Sequence, residues 1–521
     1  MGTVLQVLSR IHQDIINWAA ALIGRTFNKL ALSLLASLLV VTSGAGADDI
    51  KLPDMGSPAD AVLSKSDEAR LGRAIMAQIR LTGRVVEDPL VTEYINEVGG
   101  RIAAQANDGS QSFKFFVIDD QNINAFALPG GYIGVHTGLL DASRNEDELA
   151  GVLAHEVAHV TQRHIARAIH ASQRQSIITT ALMLGAILAG VASGDSDAAQ
   201  AGMVVAQGSA AQQQINFTRS NEYEADRIGI RAMADAGFDP HGMASFFEVM
   251  SRQSPADVNM RVPEFLRTHP VTTQRIAEAK NRAREYPRRP SNDSINYGIA
   301  RARMKVESFD TDEAAINYFE SRDYEQQNDI EKYGRAVAYQ RAGRHRDANR
   351  IFEELLERNQ KVIAYHIGVG ETQLALEQND RGIATFERAV SLFPRNVPLV
   401  IHYGEGLLQL GQADKAHKIL LDLMNNVPPT PEQVRLIARA ANDAGDTAEA
   451  LYYLSEYHLM TGNLVGGINF LQRALALPEL QEIQRIRFQA RIDFIREYMS
   501  EEQLKQLQRS QPMGASARNF G

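Results

Sequence analysis

Apolar residues recur three and four positions apart through most of this chain, a helical rhythm. Ser66 to Ile79 and Pro89 to Ala104 both follow it, which predicts two amphipathic helices. Phe113 to Ile118 is a run of β-formers closed by Asp119 and Asp120, which predicts a strand. Asn124 to His136 holds two apolar runs separated by Pro129-Gly130-Gly131 and reads as a β-hairpin. Glu146 to Ala168 returns to helical spacing, with Leu149, Val152, Leu153, Val157 and Val160 placed for burial. Ser176 to Ala192 is apolar over most of its length but shorter than the ~20 residues that span a bilayer. It fits a buried helix, a lid, or a helix lying on a membrane surface, which would make a peripheral membrane association. A polar loop, Ser193 to Gln200, leads to a further helix over 201–215. Another helix opens at Ser220, and one more runs from Thr273 to Arg284.

Tyr286-Pro287-Arg288-Arg289-Pro290 has the composition of a linker. Beyond it, helix-turn-helix units repeat. Turns at 343, 379, 411 and 445 are 36, 32 and 34 residues apart, which matches the 34-residue tetratricopeptide (TPR) period. A turn at Gly462 follows Gly445 by only 17 residues, so the helix from Ala448 to Met460 serves two neighbouring units. Leu480 to Tyr498 caps the stack, and the tail from Gln508 reads as disordered. Such stacks present a concave surface that binds peptides or proteins. The fold class is therefore mainly α: an α+β domain with a small hairpin or sheet, then an all-α TPR solenoid.

Composition changes this picture in three places. With 44% hydrophobic residues in 521, there is ample material for two cores. The absence of cysteine excludes disulfides, thiolate ligands and a cysteine nucleophile. The net charge of −9, without a basic tract, gives no sign of nucleic-acid binding. At the N-terminus, Arg25 and Lys29 precede the apolar run Leu30 to Val41, followed by Ala45-Gly46-Ala47. That order is a signal peptide over 1–47 with a small-residue cleavage site. The 29 residues before the apolar run are long for one, so either the true start lies downstream or the segment is kept as an anchor. The shortness of the apolar run points to cleavage.

The candidate chemistry lies in His155-Glu156-Val157-Ala158-His159. Positions i and i+4 share one helix face, so His155 and His159 can offer two imidazole nitrogens to one ion. Glu156 lies one residue on and can act as base toward a water in an open coordination position. A zinc site needs a further ligand from another element. Glu222 and Asp226, again i and i+4, fit one ligand and one carboxylate behind a ligand histidine. They fit equally well the acids of an ordinary helix start, and Glu224 points elsewhere on that helix. The hairpin could hold an extended peptide by backbone pairing or simply belong to the core.

The motif, Glu222-x-x-x-Asp226 some 60 residues later and the upstream Asn124-Ala125-Phe126-Ala127-Leu128-Pro129-Gly130-Gly131 together resemble the M48 metallopeptidases, of the gluzincin type, over roughly residues 66–285. The resemblance implies one Zn2+ on His155, His159 and Glu222, Glu156 as the base, and Asp226 as the partner of a ligand. It implies a substrate-facing edge strand with Phe126, Leu128, Tyr132 and Val135. On the residues alone His269 reads as a surface histidine ahead of a proline turn; Thr268-His269-Pro270 also matches a family motif, and the resemblance implies that His269 is either a fourth ligand holding the enzyme off or a stabiliser of the oxyanion. The domain organisation is then a signal peptide over 1–47, an M48 domain over 48–290, TPR repeats over 291–507 and a tail over 508–521. A signal peptide, an M48 domain and C-terminal TPRs resemble periplasmic proteases of outer-membrane protein quality control. That resemblance implies stalled or unfolded outer-membrane β-barrel proteins as substrates and the β-barrel assembly machinery as the TPR partner, with possible roles in maturation as a chaperone. The alternative is a largely inactive, latched metal-site protein that serves as chaperone or scaffold. A membrane-embedded peptidase is disfavoured, because the several long apolar spans it would need are missing.

Overall fold

The computed structural model describes residues 63–81, 84–106, 109, 111–172, 218–253, 263–290, 293–497, 499 and 501–510. The signal peptide over 1–47, the apolar 176–192 segment, the 193–200 loop, the 201–215 helix and residues 511–521 lie outside them.

The chain begins with α1 (Lys65–Leu81) and α2 (Pro89–Ala106). Asp88 caps α2, its Oδ1 accepting from the Leu90 and Val91 amides at 2.9 and 3.2 Å, and Pro89 takes the first helical position, where no amide is needed. Val91, Tyr94, Ile95, Val98 and Ile102 then bury one face of α2. Next come β1 (Lys114–Ile118), β2 (Ala125–Leu128) and β3 (Tyr132–His136), and a short α3 (Thr137–Ala142). The sheet order is β1-β3-β2. β3 pairs parallel with β1, Phe116 opposite Gly134, and antiparallel with β2, Ala127 opposite Ile133. This corrects the predicted edge. Phe126 and Leu128 stand on the edge strand β2, but Tyr132 and Val135 belong to the central strand, and Val135 is paired on both sides and fully buried. The parallel β1–β3 pairing closes over a crossover, so the local hairpin pattern carried no trace of it.

Helix α4 (Glu146–Thr161) carries the His-Glu-x-x-His motif. Asn145 caps it by accepting from the Glu148 amide at 3.0 Å, and three acids occupy its first turn against the helix dipole. Leu149, Val152, Leu153 and Val157 are buried in the core of this domain. The predicted single helix to Ala168 is broken. Arg163 adopts a left-handed φ of 53°, and the chain restarts as α5 over 164–172. The strain of that turn is offset by Arg163 Nη2, which donates to the Leu63 carbonyl at 2.6 Å and pairs with Glu68 on α1.

Helix α6 spans 218–235 and buries Asn221, Glu222, Ala225 and Asp226 on one face. α7 (His241–Gln253) contributes Phe246, Phe247 and Met250 to the same core. α8 (Glu264–Thr268) is a single turn that ends at His269, and α9 (Thr273–Ala283) follows. Thr272 caps α9, its Oγ1 accepting from the Arg275 amide at 3.2 Å.

The solenoid starts with α10 (Ile295–Glu307), capped by Ser294. One face of α10, Tyr297, Ala300 and Met304, is part of the first domain's core. Its other face, Ile299, Ala302 and Val306, is part of the first repeat core. A cut at residue 290 therefore runs just ahead of a helix that both halves share. Then follow α11 (Asp312–Glu320), α12 (Asp329–Arg341), α13 (His345–Arg358), α14 (Ile363–Ala375), α15 (Asn379–Leu392), α16 (Val397–Gln409), α17 (Ala413–Asn426), α18 (Pro431–Asp443), α19 (Thr447–Met460), α20 (Leu464–Leu475), α21 (Glu482–Arg496) and α22 (Glu501–Ser510).

The turns within the pairs use a left-handed residue at Gly343, Glu377, Gly411 and Gly445, each 34 residues from the last. The second turn falls at Glu377 rather than 379, because a non-glycine residue takes the left-handed position there, and the period becomes regular. α19 packs against both α18 and α20, as a helix shared by two units does. The stack ends in two helices rather than one, and α22 carries order to Ser510 with Leu507 buried, three residues into the predicted tail. Leu90 on α2 touches two repeat cores, and Arg303 on α10 pairs with Asp88 at 2.5 Å, so the solenoid packs along the first domain. Among the described residues, no helix is long and apolar enough to cross a membrane.

Candidate metal centre and active site

Four side chains from three elements converge: His155 and His159 on α4, Glu222 on α6, and His269 after α8. His155 Nε2 lies 3.0 Å from His159 Nε2 and 3.2 Å from His269 Nδ1. Glu222 oxygens lie 3.3 Å from His155 Nε2, 3.4 Å from His159 Nε2 and 3.2 Å from His269 Nδ1. Tetrahedral bonds of ~2.0–2.1 Å place ligand atoms about 3.3–3.4 Å apart. Five of the six distances among the four donors lie near that spacing, and all four lie within 4.8 Å of one another, close enough to share one ion.

The charge balance fits a cation there. Glu222 and Asp226 are both buried, and one guanidinium, Arg275 on α9, serves both. Arg275 donates from Nε and Nη2 to the two Asp226 oxygens at 2.8 and 2.7 Å, and from Nη1 to Glu222 Oε2 at 2.8 Å. It also holds the Pro270 carbonyl at 3.0 Å and lies over the Phe247 ring. With Glu156 buried alongside, the carboxylates outnumber the fixed cations. Burial disfavours charge on His155, yet hydrogen bonds to Asp226 and Glu222 outweigh it and raise the ring to about 9. Burial dominates at His159 and lowers it to about 3. Glu222 resists the penalty of burial through hydrogen bonds from His155, His159 and His269 and is held far below the usual carboxylate range.

Glu156 lies beside the cluster. Its Oε1 is 3.4 Å from His269 Nε2 and makes no hydrogen bond among the described residues. Burial pushes its carboxyl up, opposed by the neighbouring His269 and His155 and by a hydrogen bond with the Ala127 backbone. That last contact brings edge strand β2 against the carboxyl group. Asp226 Oδ1 lies 2.9 Å from His155 Nδ1, so it stands behind that ring.

The structure therefore brings His155, His159, Glu222, Asp226, Glu156 and His269 together, with Phe126 and Leu128 on the adjoining strand. Tyr132 and Val135 are one strand further in. Sequence reasoning missed Arg275, and it dismissed Glu224, which turns toward His164 on α5. The available signals were an arginine five residues after Pro270 and a histidine five residues after His159.

Comparison with known proteins agrees with this arrangement. The profile of Peptidase family M48 matches residues 89–283, and a tetratricopeptide-repeat profile matches residues 373–440. The beta-barrel assembly-enhancing protease of Yersinia pestis is 33% identical over 89% of this chain and 97% of its own length. The protein of the same name from Escherichia coli K12 is 33% identical over 90% of this chain and 98% of its own. A mitochondrial metalloendopeptidase, OMA1 of Schizosaccharomyces pombe, is 34% identical over 36% of this chain and 51% of that protein. On the two profiles in this order, and on identity along nearly the whole of its relatives, this chain belongs to the M48 metallopeptidase family, in the group that joins the peptidase domain to TPR repeats.

Proposed function

We propose that the chain is a zinc-dependent endopeptidase of the periplasm that acts on misassembled outer-membrane β-barrel proteins. The convergence of His155, His159 and Glu222 donor atoms beside the buried Glu156 carries this reading. Imidazole and carboxylate donors in that geometry suit zinc. The near full-length relatives are named beta-barrel assembly-enhancing proteases, which supports a proteolytic role in β-barrel assembly.

When bound, the ion supplies Lewis acidity toward a peptide carbonyl and acidifies the attacking water. The chain does the rest. Strand β2, which has no strand on its outer side among the described residues, pairs with an extended substrate along that edge, with Phe126 and Leu128 on it. Glu156 takes a proton from the water as its oxygen bonds to the carbonyl carbon. It then delivers that proton to the amide nitrogen as the C–N bond breaks. A carboxyl raised by burial suits a group that must both accept and release a proton. Asp226, with Oδ1 2.9 Å from His155 Nδ1, stands behind and orients that ring, and Arg275 fixes Asp226 and Glu222. The TPR array docks either the substrate or the assembly machinery and thereby raises its local concentration.

His269 Nδ1 lies 3.2 Å from both His155 Nε2 and Glu222 Oε1, close enough to serve as a fourth ligand in place of water or a substrate carbonyl. This favours His269 as a latch over an oxyanion stabiliser. If the open state is a few per cent populated, removing the latch speeds cleavage by about 10–100-fold. The test is degradation of an unfolded model protein by mature chain, wild type against His269→Ala. Faster cleavage by the variant is expected. An inactive variant that still holds zinc would place His269 among the catalytic groups instead. If neither protein cleaves, the reading as a plugged chaperone or scaffold replaces the protease.

A further inference from the structure

The two histidines of the motif are held from behind in parallel ways. His155 is backed by Asp226, which is in turn gripped by Arg275. Among the described residues, His159 has no carboxylate at its Nδ1. Its Nδ1 lies 2.9 Å from Nδ1 of His164, a buried ring on α5. His164 Nε2 lies 3.3 Å from Glu224 Oε2 on α6, and Arg167 Nη1 donates to the same oxygen at 2.8 Å.

Only one set of tautomers satisfies this line of atoms. With His159 Nε2 turned to the metal point, its proton is on Nδ1 and is donated to His164 Nδ1. His164 Nδ1 is then the bare acceptor, its own proton is on Nε2, and that proton is donated to Glu224. Each ring thus ends on a carboxylate held by an arginine, directly for His155 and through one more imidazole for His159. The turn at Arg163 makes this possible, because it redirects the chain so that a residue five positions on faces His159. Continued as regular helix, positions 159 and 164 would stand well apart around the axis.

We propose that His164 and Glu224 form an outer hydrogen-bonded relay that sets the tautomer and orientation of His159 as a metal ligand. His164 is a positioning residue and does not touch substrate. The inference rests on the reading of His159 as a ligand. Groups of this kind change metal affinity by about 10–100-fold when removed.

The test is the zinc dissociation constant of full-length mature chain, by competition with a chromophoric chelator, with the absorption spectrum of the cobalt-substituted protein as a second readout. His164→Leu fills the site but cannot accept the hydrogen bond, and about 10–100-fold weaker binding with an altered cobalt spectrum is expected. His164→Gln can accept from His159 and donate to Glu224, and should stay within a few-fold of wild type. Glu224→Ala alters a partly exposed side chain, so it carries the test should the Leu variant misfold, and it too should bind zinc more weakly. Wild-type affinity in both His164→Leu and Glu224→Ala would overturn the proposal. Equal weakening in the Leu and Gln variants would also overturn it, because packing rather than hydrogen bonding would then be responsible. A wild-type chain that binds no zinc would overturn the metal reading and the relay together, whereas loss confined to His159→Ala would leave the first and remove the second.

Discussion

Glu156→Gln is expected to keep its zinc and to lose turnover by about 10²–10⁴-fold or more. The substitution preserves size and removes only the capacity to take up and return a proton. Glu156 is not among the four grouped donors, so the ion keeps its seat. Binding of substrate along β2 should also survive, because the glutamine amide oxygen can still accept from the Ala127 backbone. Cleavage of an unfolded protein, measured beside metal content, checks this. Loss of zinc together with activity would show that Glu156 holds the ion. Retained turnover would require another base.

Arg275→Met is expected to destabilise the peptidase domain by about 3–5 kcal/mol, the usual cost of leaving a buried charge without its partner. Arg275 is 3% exposed and is the one cation bonded to both Asp226 and Glu222 among the described residues. Methionine fills much of the volume and leaves two buried carboxylates without their shared partner. A bound ion offsets part of that cost. The loss should therefore be larger in chelator-treated protein than in zinc-loaded protein. Denaturant unfolding of both forms reads the difference. An unchanged midpoint in the metal-free variant would remove Arg275 from the account.

The parts of the site that were legible in the sequence are those set by local periodicity. Positions 155 and 159, and again 222 and 226, share a helix face because i and i+4 always do. The helix α4 could be placed because its apolar positions repeat, and the solenoid because its turns recur. What was not legible depends on how distant elements meet. Arg275 matters because α9 lies against α6. Glu224 matters because α5 turns back after Arg163, whose left-handed backbone no glycine announced. Tyr132 and Val135 were assigned to the edge because the hairpin is local, while the parallel strand that covers β3 comes from earlier in the chain. Glu377 hid a regular repeat for the same reason as Arg163, since a glutamate occupies a position where glycine is expected. The shared helix α10 shows that composition marks a linker well but does not say which core the next helix joins.

The most direct measurement is the number of zinc ions bound per chain in wild type, His155→Ala, Glu222→Ala and Glu156→Gln, after dialysis against a weak chelator. The account predicts one ion in wild type and in Glu156→Gln, and almost none in the other two. A full equivalent retained by either His155→Ala or Glu222→Ala would contradict it.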